Sequence, residues 1–115
     1  EGYAGGELKH GPIALIDESM PVFVIAPQCD QYEKMLSNIE EICARDAQVI
    51  ALGAPNDERL LRLSKDYIPC PQVSEPILQT LLSTIPLQLF AYYLARQLGA
   101  DVDQPRNLAK SVTVE

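Results

Sequence analysis

Two short apolar stretches rich in β-branched residues, Pro21-Val22-Phe23-Val24-Ile25-Ala26-Pro27 and Gln48-Val49-Ile50-Ala51-Leu52-Gly53-Ala54, frame the first half of the chain. Runs of this kind suit strands of a parallel sheet that are buried on both faces. Between them Tyr32, Met35, Leu36, Ile39, Ile42 and Cys43 recur at helical spacing, while Glu33, Lys34, Asn38, Glu40 and Glu41 fall on the opposite face. The spacing predicts an amphipathic helix from an Asp30 cap through Ala44, lying on the sheet.

After the second strand, Pro55-Asn56-Asp57 offers a turn and a start for a short helix over Glu58 to Leu63. A third strand, Asp66 to Pro71, is weaker, because its prolines remove ladder donors and are tolerated best at an edge. Pro76 suits a first helical turn, and Pro86 predicts a break, giving two pieces: Pro76 to Leu82, and Thr84 to Leu98 with Thr84 as cap and Gly99 as stop. Pro86 to Ala95 is apolar nearly all round, which predicts burial on more than one side, against the sheet and another subunit or domain. Residues 100–115 show neither period and read as an irregular tail.

Strands alternating with helices predict an α/β fold with a parallel sheet. The strands are too few for a complete doubly wound domain, so an open edge and an uncovered apolar face are expected, and with them self-association.

Composition narrows the function. No apolar run approaches the roughly 20 residues that cross a bilayer, and the start lacks a secretory pattern, so no membrane partner and a cytosolic location are expected. The net charge is −7 and the basic residues are scattered, which argues against nucleic acid as a partner. Cys29, Cys43 and Cys70 have no metal-ligand spacing with each other or with His10 and are expected as reduced thiols, at least half buried. Gly2, Gly5 and Gly6 form no phosphate-cradling motif, and no cofactor is expected. The acidic pairs Asp17-Glu18 and Asp57-Glu58 stand at turns and helix starts and read as structural. The opening Glu1-Gly2-Tyr3 suggests that residues upstream have been removed.

Two segments carry candidate chemistry. Glu7-Leu8-Lys9-His10-Gly11-Pro12 puts the only histidine on a loop held by glycine and proline, and imidazole titrates nearest neutrality, so proton transfer is within its chemistry. A lone loop histidine is nevertheless more often a surface residue than a catalyst. In the C-terminal segment Lys110 sits among Leu108, Ala109 and Val112, and a desolvated lysine amine can attack a carbonyl. The plainer reading there is a frayed terminus.

Gly6-Glu7-Leu8-Lys9-His10-Gly11-Pro12 with Ala14-Leu15-Ile16-Asp17, and Asp101-Val102-Asp103-Gln104-Pro105-Arg106-Asn107-Leu108-Ala109-Lys110-Ser111-Val112-Thr113-Val114-Glu115, together closely resemble the glutamine:fructose-6-phosphate aminotransferases (isomerising). The resemblance extends through Pro21 to Pro27, Ser37 to Glu41 and Thr84 to Leu89. It implies the C-terminal part of a second sugar-isomerase (SIS) domain over residues 1–99, with an incomplete flavodoxin-like three-layer αβα sheet, and an active-site tail over residues 100–115. By the same resemblance His10 matches the histidine that opens the sugar ring and reaches the neighbouring subunit's site in a homodimer. Lys110 matches the lysine that engages the open-chain ketone, and the Ala109 backbone matches a sugar contact. The implied substrate and product are fructose-6-phosphate and glucosamine-6-phosphate. The family's proton-shuttling glutamate, phosphate-gripping loop and glutaminase cysteine have no counterpart in these residues, so the chain alone is expected to be inactive. A non-catalytic sugar-phosphate-binding SIS module and an SIS deaminase or deglycase of amino-sugar phosphates are the alternatives.

Overall fold

The computed structural model of the chain describes residues 1–104. The strands form where the apolar runs predict them: β1 is Pro21–Ala26, β2 is Gln48–Gly53 and β3 is Asp66–Pro69. They pair in parallel in the order β1-β2-β3, with Pro21 opposite Gln48 and Ile50 opposite Asp66. β3 thus stands at the rim, where its proline is tolerated. The helices are α1 (Tyr32–Cys43), α2 (Glu58–Leu63) and α3 (Pro76–Gln97). As expected, this is an α/β fold on a parallel sheet.

Strand side chains alternate between the two faces of the sheet. Val24 and Ala26 of β1 and Val49 and Ala51 of β2 pack with Tyr32, Leu36, Ile39 and Ile42 of α1 and with Leu60 of α2. Each large aliphatic side chain in this core stabilises the fold by about 1.5–3 kcal/mol over leaving it exposed. Burial on both faces holds poorly for β1, whose Ile25 points to the other face and is exposed. The physical reason is position: β1 is an edge strand among the described residues.

α1 begins two residues later than its predicted cap. Gln31 is the N-cap, without a side-chain bond, and Asp30 is exposed. α2 has the cap expected of it, with the Asp57 side chain accepting from the Leu60 amide at 3.1 Å. Gly53 lets α2 come close to β2: a Cβ there would lie 2.4 Å from Leu60 Cδ2 and 2.9 Å from the Tyr67 hydroxyl.

Contacts divide the chain at Ser83/Thr84 into two units, Glu1–Ser83 and Thr84–Glu115. The helix nonetheless runs through this point, so the predicted break at Pro86 and cap at Thr84 do not occur. Pro86 removes one amide and crowds the carbonyl four residues earlier, but Leu87, Gln88 and Leu89 after it are good helix formers and the helix continues through them. In the first unit, buried Gln79 accepts from the Val73 amide at 2.9 Å and donates to the Pro71 carbonyl, tying the β3–α3 loop to the start of α3. In the second, Gly99 (φ +71°) ends the helix as expected, with the Ala100 amide bonding back to the Ala95 carbonyl at 2.9 Å.

At 22 residues α3 is, by length and composition, long and apolar enough to cross a membrane, which overturns the expectation that no segment approaches that length. Nor is its apolar surface buried. Leu89 and Tyr93 of the second unit and Ile77 and Leu81 of the first are all exposed, because the described residues place nothing over them.

Candidate functional site

The loops that leave the carboxyl ends of the strands meet in one polar network. Gln28 follows β1, Asp57 follows β2 and Gln72 follows β3. Asp57 Oδ2 accepts from the Tyr32 hydroxyl and, at 3.2 Å, from Gln28 Nε2, while Asp57 Oδ1 caps α2. The Gln28 amide donates to Gln72 Oε1 at 2.9 Å, and Gln72 Nε2 returns to the Cys70 carbonyl at 2.8 Å. Tyr67 donates to the Ala54 carbonyl at 2.5 Å.

Burial pushes the Asp57 carboxyl up, but the hydrogen bonds from Tyr32, Leu60 and Gln28 outweigh it and hold the group below the usual carboxylate range. Burial, then the bond to the Asp57 carboxylate, raises the Tyr32 phenol. Ligands of open α/β sheets bind outside the carboxyl ends of the strands, and this network fixes the loops there. Among the described residues no buried side-chain nitrogen or oxygen lacks a partner, so the network is self-contained. Sequence reasoning placed Asp57 as structural but missed Tyr32, Gln28 and Gln72 as its partners. A buried tyrosine needing an acceptor was the only available signal.

His10 ends a 3₁₀ helix, Gly5–His10, and Gly11 (φ +143°) turns the chain into a second one, Pro12–Leu15. The segment is therefore more ordered than the loop expected. His10 is exposed, and its side chain makes no hydrogen bond or ion pair with another described residue. Lys110 and Ala109 lie outside the described residues. Cys70 is buried and Cys43 half-buried as expected, with burial raising the Cys43 thiol, but Cys29 is exposed, because it sits on the β1–α1 loop with no packing element over it. Among the described residues no three His, Cys, Asp or Glu side chains are grouped to hold a metal.

The SIS-domain family model matches residues 1–96. The chain belongs to the SIS-domain family. This SIS domain is 60% identical over all 115 residues to a glutamine–fructose-6-phosphate aminotransferase (isomerizing) of Aquifex aeolicus, and 57% identical over 115 residues to the protein of the same name from Thermus thermophilus. It spans 19% of the length of each of those relatives. Among solved structures, the C-terminal domain of glucosamine-fructose-6-phosphate aminotransferase from Francisella tularensis superposes with a TM-score of 0.77 at 35% identity, over 89% of this chain and 29% of that one. The SIS domain thus shares its fold with that C-terminal domain.

Proposed function

We propose that this chain is the C-terminal part of the second SIS domain, residues 1–99, and the active-site tail, residues 100–115, of a glutamine:fructose-6-phosphate aminotransferase (isomerising). The whole protein would convert fructose-6-phosphate and glutamine to glucosamine-6-phosphate and glutamate in the cytosol, as a homodimer, without nucleic acid or membrane as partner. The observation that carries this reading is the 60% identity along the full 115 residues to a protein of that name.

The chemistry suits the residues. Ring opening moves a proton between oxygens near neutral pH, which an imidazole does well, and His10 is exposed where a substrate can meet it. Lys110 supplies an amine that can bind or condense with the ketone at C2, and the Ala109 backbone supplies a contact to the sugar. The apolar side chains exposed on α3 are read as a protein contact and not a bilayer span, because Gln79, Thr80, Ser83, Thr84 and Gln88 interrupt the helix with polar groups.

The test is product formation by the full-length protein. Incubated with fructose-6-phosphate and glutamine, it should yield glucosamine-6-phosphate and glutamate in equal amounts, measured by mass spectrometry. Formation of neither product, or release of ammonia from glucosamine-6-phosphate with no synthesis, would instead favour one of the alternative SIS readings.

A further inference from the structure

The 3₁₀ helix that ends at His10 is held along one stripe of α1. At its start Gly5 sits so close to α1 that an added Cβ would lie 3.0 Å from Asn38 Nδ2 and 3.2 Å from Met35 Sδ. In its middle Leu8 packs against the hydrophobic core. At its end Lys9 Nζ stands 2.7 Å from Glu41 Oε1. Met35, Asn38 and Glu41 recur every three residues and so share a face of α1.

Three ion pairs join described residues, and Lys9–Glu41 is the one that reaches the His10 segment. The His10 side chain makes no polar contact with a described residue, and beyond it Gly11 takes a backbone conformation that other residues rarely adopt. The place of the imidazole is therefore set by its neighbours.

We infer that Glu41 is a positioning residue for the isomerase reaction: by pairing with Lys9 it fixes the end of the 3₁₀ helix and so the place of His10. The inference rests on the function proposed above for His10. Both partners of the pair are partly exposed, and such a pair adds little to global stability. A small displacement of a catalytic group, in contrast, can cost a large factor in rate. Loss of the pair should therefore show in turnover and not in folding.

The test uses the full-length protein with Glu41→Gln, the charge reversal Lys9→Glu with Glu41→Lys, and, as a control on the same helix as Glu41, Glu33→Gln, which breaks the pair with Arg59 of α2. Glu41→Gln should lower kcat for glucosamine-6-phosphate formation roughly three- to tenfold, with KM for fructose-6-phosphate and Tm nearly unchanged. The charge reversal should recover most of the lost kcat, and Glu33→Gln should leave it intact. Wild-type turnover in Glu41→Gln, or a reversed pair as slow as the single variant, would overturn the inference. Failure of the underlying reading would show differently, as absence of turnover in the wild-type protein itself.

Discussion

Tyr32, at the first turn of α1, donates its hydroxyl hydrogen to Oδ2 of Asp57, the residue that caps α2. One bond thus couples the two helices that cover the same face of the sheet. Replacing Asp57 with Ala removes the cap and strands the buried phenol, at about 2–4 kcal/mol in all. Tyr32→Phe leaves the cap in place and should cost only about 1 kcal/mol. Urea denaturation of both variants and their double mutant checks this, and strict additivity would show that the two residues are not coupled.

Stability should fall on the acid side through Asp57. Its folded pKa is depressed, so its contribution is fully present above the unfolded carboxyl range, near 4, and is lost as pH falls through the folded value. Tyr32 behaves in the opposite sense: its folded pKa is raised, so its contribution holds below about 10 and is lost as pH rises further. The stability gap between wild type and Asp57→Asn, measured by denaturation between neutral and acid pH, should therefore narrow on acidification. A gap that widened would contradict the hydrogen-bond account.

Gly53 is required by contact and not by backbone conformation. A methyl group there meets Leu60 and the Tyr67 hydroxyl below van der Waals distance, so the Leu60 or Tyr67 side chain must give way in a packed core. Gly53→Ala should destabilise by about 1–3 kcal/mol, seen as a lower urea midpoint with unchanged m-value.

The exposed apolar side chains of α3, together with the open edge of β1, should make the 115-residue chain self-associate when produced alone. Light scattering should report a mass above 12.7 kDa. Leu81→Lys with Leu89→Lys should shift it toward the monomer, whereas a monodisperse wild-type monomer would count against a contact role for this face.

Much of this architecture was legible because its punctuation is strong. The proline-bounded run at Pro21 and the β-branched run at Gln48 fixed β1 and β2 to within a residue or two, and Asp57 announced α2. Pro86 misled, because a proline inside a helix costs a few kcal/mol and does not forbid the helix when the residues that follow it favour one. The 3₁₀ turns around His10 have no hydrophobic period to reveal them, and the Tyr32–Asp57 bond spans 25 residues, beyond any local pattern. His10 itself drew attention through resemblance more than through spacing, since an exposed histidine whose side chain has no partner among the described residues leaves no physical mark in the sequence.

The most direct measurement of the central claim is turnover of the full-length protein carrying His10→Asn. If His10 moves the ring-opening proton, kcat for glucosamine-6-phosphate formation from fructose-6-phosphate should fall by about 10²-fold or more, with Tm unchanged because the side chain is exposed and makes no bond or ion pair with a described residue. Turnover equal to wild type in that variant would contradict the assignment of this segment to the isomerase site.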